Sequence, residues 1–508
     1  MSPEGRCAME RMGILDAGLF FDGGGNAPMH AGSVAVFDGP APAYGDLVRL
    51  LLARLALVPR YRQRVRTVPL RLGRPVWVDD EHFQIRYHLR HAALPAPGGA
   101  EQVRDLAGRV FAQRLDVTRP LWEMWLVEGL GNGRWAIIGK THLCMVDGPA
   151  GADLLSVLLD AGPDRRPPAP RSWIPAPTRS TAWHLVDGVR DTLVGPVHRL
   201  ARDLPTLARG LPAVIRDPAG RSGAGDLGRH RGAGTLVTLH RLAAASARSL
   251  NGPLGPHRRW DWADAALADV TAIRSAFGGT VHATVLAAVT RGLHDLLAGR
   301  GGLSRDRIVR ALVPVAVRAR GDRAVPDFRS PPGTRPDLSG IGICPALVNL
   351  PAGEPDAVAR LARIRGQLDE IVGGRPAIGG AALTGLAGFA APTLVAMGAR
   401  ITPRFPQSMI QVVVTNAPGP GTARYLLGRP MVEIHPYVPV AGGVRISVGV
   451  ASYLGRLHFG LTADFDSVPD LGVLRDGIRA GVDELTGRAG VIPPRCPDSP
   501  PRAPTGPD

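Results

Sequence analysis

Residues 140–148 read KTHLCMVDG. They follow an apolar run at 135–139 that reads as a strand, and they precede a small-residue turn at 149–152. A histidine at a strand end beside an Asp–Gly turn suits a general base. Asp147 fixes the local geometry, and Gly148 allows a bend that a Cβ would obstruct. His142 is therefore the first candidate catalytic residue. A lone histidine at a strand end is more often structural, so the rest of the chain has to decide.

Outward from that segment the pattern alternates. Residues 31–37 (AGSVAVF), 122–128 and 135–141 read as strands, and 44–56 and 101–113 as helices. Residues 161–180 are Pro-rich and read as a linker. A second alternating region follows. Helices are expected at 268–277, 285–298 and 471–485, and strands at 308–317, 410–414, 445–450 and 456–463. This divides the chain into a lobe at 1–160, a Pro/Arg-rich crossover at 161–234, a second lobe at 235–488 and a disordered tail at 489–508, which holds seven prolines.

Composition sets outer limits. The 508 residues are 45% hydrophobic and 20% charged, which excludes whole-chain disorder. The formal charge is +16, and Lys140 is the one lysine among 60 basic residues. Arg, Ala, Gly, Pro and Val share GC-rich codons, so the basic balance alone assigns no partner. No zinc-like Cys pair, RNA-binding aromatic motif or basic zipper accompanies it, and nucleic acid is not an expected partner. Cys7, Cys144, Cys344 and Cys496 are isolated, fit neither a disulfide framework nor a metal site, and suggest a reducing compartment. The first twelve residues lack an apolar signal core.

Two segments raise membrane contact. Residues 376–399 are uncharged and long enough to cross a bilayer, but Pro392 and five glycines favour a buried wall or helix pair. Residues 165–231 carry twelve Arg, five Asp and no Glu. Leu185, Val189, Leu193, Val197 and Leu200 within them recur at helical spacing. That makes a basic amphipathic helix, able to lie on an anionic surface or simply to cross between lobes.

The ordered motifs then become recognisable. MGILDAGLFFDGGGNAPMHAGSVAVFDG at 12–39 contains Pro28, Met29 and His30. VPRYRQRV (58–65), GRPVWVDDEHFQIRYHLRHAALP (73–95) and LDVTRPLWEMWLVEGL (115–130) follow it. The second half carries SLNGPLGPHRRW (249–260), LVPVAVR (312–318), VTNAPGPGTARYLLGRP (414–430) and SYLGRLHFGLTAD (452–464). In this order the chain resembles the bacterial wax ester synthase/acyl-CoA:diacylglycerol acyltransferase family, from about residue 12 to 485.

The resemblance implies an α/β (α+β) architecture of two lobes, like chloramphenicol acetyltransferase and condensation domains. Mixed sheets are covered by helices, with a channel between the lobes. It implies fatty acyl transfer from acyl-CoA to diacylglycerol or a long-chain alcohol, with no metal or bound cofactor. It also implies a cytoplasmic protein attached peripherally to a membrane or lipid-droplet surface. The family's HHxxxDG signature falls on His142, Leu143, Asp147 and Gly148. Its second histidine, the base that takes the acceptor's proton, is replaced here by Leu143. In a continuing strand, neighbours face opposite ways, so His142 is expected to point away from that place.

Two more positions depart. The family's Asn-Asp pair falls on His282 and Ala283, and the Asn of its later Gly-Asn motif falls on Ile341. His282 is thereby a candidate replacement base, against the plainer reading that it packs at a helix start. Arg318 is a candidate partner for Asp147, and Asn416 supports the channel or forms an Asx turn before Pro418. Trp122 reads as core. The alternative to an active enzyme is an inactive homologue that binds acyl-CoA or lipid, or partners an active paralogue.

Overall fold

The computed structural model describes residues 10–22, 26–68, 74–145, 154–164, 172–177, 250–318, 341–372 and 410–490. Asp147, Gly148, the apolar stretch at 376–399, the helix expected near 185–200 and the tail from 491 lie outside the described residues.

The first half contributes α1 (Ile14–Asp22), β1 (His30–Phe37), α2 (Tyr44–Arg54), β2 (Gln63–Arg66), β3 (Val76–Asp79), α3 (Ile85–His88) and β4 (Leu89–Ala93). It continues with α4 (Ala100–Ala112), β5 (Trp122–Leu130), β6 (Arg134–His142) and α5 (Leu154–Leu158). The second half adds β7 (Arg258–Ala266), α6 (Leu267–Phe277), α7 (Val281–Gly299), β8 (Val309–Arg318), β9 (Ile341–Leu350) and α8 (Ala357–Val372). It ends with β10 (Val412–Ala417), β11 (Tyr425–Leu426), β12 (Arg429–Tyr437), β13 (Ile446–Tyr453), β14 (Arg456–Asp464) and α9 (Leu471–Arg488).

Two mixed six-stranded sheets organise these elements. The first runs β11-β12-β1-β6-β5-β4 and the second β7-β14-β13-β10-β8-β9. In the first, only β4 and β5 are parallel; in the second, β10 is parallel to both β8 and β13. The expected lobe boundary at 235 does not confine the strands. β11 and β12, from the second half, complete the first sheet, with Val34 of β1 opposite His435 of β12.

Helix α7 shows why the second sheet holds together. Val285, Leu286, Val289, Leu293, Leu296 and Leu297 are all buried, on a helix packed against α8 and α9. Each large aliphatic side chain so buried contributes about 1.5–3 kcal/mol. The helix begins at Val281, a turn before the expected 285, because the Thr280 hydroxyl accepts the Ala283 amide at 3.1 Å. Among the described residues no single helix is long and apolar enough to cross a membrane.

The sheets meet where β12 lies across β13 and β14. An ideal Cβ on Gly460 of β14 would sit 1.6 Å from the Pro436 carbonyl oxygen of β12. Only glycine permits that approach. Trp260 Nε1 reaches the same oxygen at 3.4 Å, and Arg104 of α4 reaches Asp261 of β7 at 2.5 Å.

Candidate active site

β6 ends at His142, and Leu143–Met145 tighten into a turn of 3₁₀ helix. The alternation expected of a continuing strand therefore does not extend to Leu143. Its amide donates to the Met29 carbonyl at 2.9 Å, and its wholly buried side chain clusters with Leu19, Met29 and Ala441. His142 stands directly opposite His30 on the neighbouring strand, with ring centroids 5.8 Å apart. Phe20 of α1 meets the His142 ring edge-on at 6.3 Å.

The two imidazoles have different environments. His142 Nδ1 accepts the Cys144 amide at 3.2 Å and lies 3.0 Å from Cys144 Sγ. That bond leaves the ring proton on Nε2. His30 is buried, and its Nδ1 has no hydrogen-bond partner among the described residues. Burial, reinforced by the positive charges of Lys140 and Arg114, holds its pKa well below the ordinary imidazole value. His30 is neutral at pH 7.

Beside this pair lies a cavity of about 560 Å³ between the lobes, a size typical of small-molecule pockets. Gly32, Ser33, Trp122, Met124 and Thr141 line it from the first sheet, Leu155 and Leu159 from around α5, and Ala417, Pro418, Ala451 and Ser452 from the second sheet. Met431 and Ile434 of β12 close another side. Trp122 is core as expected, 1% exposed, and also walls the cavity. His30, His142 and Leu143 are not among the lining residues; Ala31, packed against the Leu143 cluster, is.

Polar groups at the wall are few. Lys140 Nζ donates to the carbonyls of Val110 and Gln113, both at 2.9 Å, and lies 3.3 Å from the Glu123 carboxylate. Burial pulls its pKa down, against the opposing pull of Glu123. The Ser452 hydroxyl accepts the Gly419 amide at 3.0 Å, and Arg424 also faces the cavity.

The remaining expected positions are distributed over the second sheet and its helices. Arg318 and Ile341 are direct cross-strand partners at the ends of β8 and β9. Asn416 pairs with Val450 inside β10, one residue before the cavity-lining Ala417, so it is a strand residue and not an Asx turn. Ala283 is buried in the first turn of α7. His282 stands beside it, partly exposed overall, yet its Nε2 is enclosed and has no hydrogen-bond partner among the described residues. Burial pushes its pKa down to about 4. No described hydrogen bond or ring contact joins it to His30 or His142.

Comparison with known proteins adds the family. Residues 12–285 match the Wax ester synthase/diacylglycerol acyltransferase catalytic domain, and residues 343–486 match the WS/DGAT C-terminal domain. The chain belongs to the wax ester synthase/diacylglycerol acyltransferase family. It is 32% identical over 479 residues to the Mycobacterium tuberculosis (H37Rv) protein named "Probable diacyglycerol O-acyltransferase tgs1", covering 94% of this chain and 96% of that one. The solved wax ester synthase/diacylglycerol acyltransferase of Marinobacter aquaeolei VT8 superposes with a TM-score of 0.61 at 23% identity, over 95% of this chain and 100% of that one. The first condensation domain of the calcium-dependent antibiotic synthetase superposes with a TM-score of 0.50 at 16% identity, over 95% and 98%. The two-lobed acyltransferase fold expected from the motifs is the fold observed. Within this family the chain carries leucine at position 143.

His30 entered the sequence reading only within a motif. Its proximity to His142 depends on β1 and β6 being neighbours, which local periodicity does not reveal.

Proposed function

We propose that this protein moves a fatty acyl group from acyl-CoA to the hydroxyl of diacylglycerol or a long-chain alcohol, making triacylglycerol or wax ester. The observation that supports this reading is the apolar inter-lobe cavity, walled in part by Ala31 and Thr141, the strand neighbours of His30 and His142, in a chain of this family. The acceptor oxygen attacks the thioester carbonyl, the C–S bond breaks, and CoA leaves as the thiol once it takes up the proton the hydroxyl lost.

His30 is the proton acceptor that this reading favours, being neutral, with an unpartnered Nδ1, one residue from the wall of a cavity that its own ring does not line. His142 is a positioning residue that fixes the turn through Cys144. Leu143 supplies packing. Asp147, Gly148 and Arg318 are assigned structural support by resemblance, as are Ala283, Ile341 and Asn416 around the second sheet. His282 is the competing base; its pKa near 4 leaves it neutral but weakly basic. Arg424 is placed to meet a CoA phosphate at the cavity wall. No cofactor is required. Both acceptors are membrane-borne, so the protein works in the cytoplasm, attached peripherally to a membrane or lipid-droplet surface. The inactive-homologue alternative, raised by Leu143, Ala283 and Ile341, finds no support in the relatives.

The test supplies radiolabelled acyl-CoA with diacylglycerol or hexadecanol. Labelled triacylglycerol or wax ester is expected. Retention of label on the protein with no lipid product would replace this reading with a binding role.

A further inference from the structure

Three strands distant in sequence meet at the seam of the two sheets. Asp264 of β7 and His458 of β14 are direct cross-strand partners, and His435 arrives on β12 from the other sheet. His458 Nδ1 lies 2.6 Å from Asp264 Oδ1, and His435 Nδ1 lies 3.8 Å from the same oxygen. The two imidazoles stand 5.0 Å apart at 89°. One donor atom from each residue lies within 4.8 Å of the other two. Both histidine side chains are almost fully buried, while Asp264 keeps 19% of its side chain exposed as a route inward.

Hydrogen bonding around the cluster is incomplete in a specific way. His435 Nε2 bonds the Glu433 carboxylate at 3.1 Å, which holds the ring proton there and turns the Nδ1 lone pair toward Asp264. His435 Nδ1 has no hydrogen-bond partner among the described residues, and neither has His458 Nε2. A buried nitrogen of this kind costs about 1–3 kcal/mol if nothing answers it, and an ion takes one nitrogen from each ring. Trp262 packs 5.1 Å from the His435 ring and helps to fix it.

A carboxylate and two imidazoles, one backed by an outer carboxylate, make a donor set that divalent transition metals take. We propose that Asp264, His435 and His458 bind a divalent transition-metal ion of the zinc class, clasping β12 of the first sheet to β7 and β14 of the second.

The full chain, stripped with chelator, is titrated with zinc chloride by calorimetry and with cobalt(II) by visible absorption. One equivalent per chain is expected, with a higher melting temperature in zinc. His435→Gln and His458→Gln are expected to lose the high-affinity ion, and Glu433→Gln to weaken it about 10–100-fold by releasing the His435 tautomer. Each variant's metal-free circular dichroism and melt are compared with wild type. Where a ligand variant does not fold, Glu433→Gln decides, since it keeps all three ligands. No binding by wild type, or equal affinity in wild type and every folded variant, would overturn the proposal and leave a proton-only network.

Discussion

The Leu143 amide donates to the carbonyl of Met29 at 2.9 Å, and the Leu143 side chain shares a sealed apolar cluster with it. The place to which the family resemblance assigns a second histidine is thus closed by packing. Leu143→His would bury an imidazole among Leu19, Met29 and Ala441. We expect a loss of about 1–3 kcal/mol, read as a lower melting temperature. Acyl transfer is expected to stay at or below the wild-type rate. A faster variant would mean that position 143 opens onto the substrate, contrary to the packing.

His30 is the sharper test of chemistry. Glutamine keeps a polar side chain there but accepts no proton at neutral pH. His30→Gln is expected to lower kcat by about 10²–10⁴-fold with little change in KM, the usual worth of a general base. Its depressed pKa also fixes the acid limb of the pH–rate profile: wild-type activity should persist below pH 6.5, where an ordinary imidazole is half protonated. His282→Ala should stay close to wild type. The reverse pattern would move the base to His282.

The sequence was legible where period and burial agree. β1, β5 and β6 fell within a residue or two of their expected spans because each is an apolar run buried on both faces of the first sheet. β12 was not legible: Pro430 and Pro436 disguise it, and its partner β1 lies about 400 residues earlier, at Val34 opposite His435. The start of α7 was missed because the Thr280 cap follows Gly278 and Gly279, which read as a turn. Asn416 was read from the Pro-Gly-Pro beyond it, whereas pairing with β13 decides its conformation. The histidine–aspartate cluster takes one residue from each of three strands, so no local motif announces it.

His282 gives the fold a definite pH response. Its folded pKa near 4 lies below the 6.5 of an unfolded imidazole, so between those values the unfolded chain binds more protons. Its contribution is therefore complete above about pH 6.5 and falls away as pH drops toward 4. After allowing for partial exposure, the loss is on the order of 2–3 kcal/mol. Urea midpoints from pH 7 to 4 should fall less steeply in His282→Asn than in wild type. Parallel slopes would show that the ring is solvated in the folded protein.

The last prediction concerns the seam itself. Because a Cβ at Gly460 would stand 1.6 Å from the Pro436 oxygen, Gly460→Ala must displace β12 or β14. The cost should reach or exceed the upper end of the about 1–3 kcal/mol usual for overpacking. Ile434 and Pro436 of β12 line the cavity, so the same displacement should raise KM for the acyl donor even in protein that still folds. Gly366, on the exposed face of α8 with nothing within 4 Å of its would-be Cβ, is the internal control. Gly366→Ala should gain about 0.5–1 kcal/mol from helix propensity alone. Opposite signs in the two melts are expected. A Gly460→Ala protein as stable as wild type, with unchanged KM, would mean that the sheets are not held at the separation described.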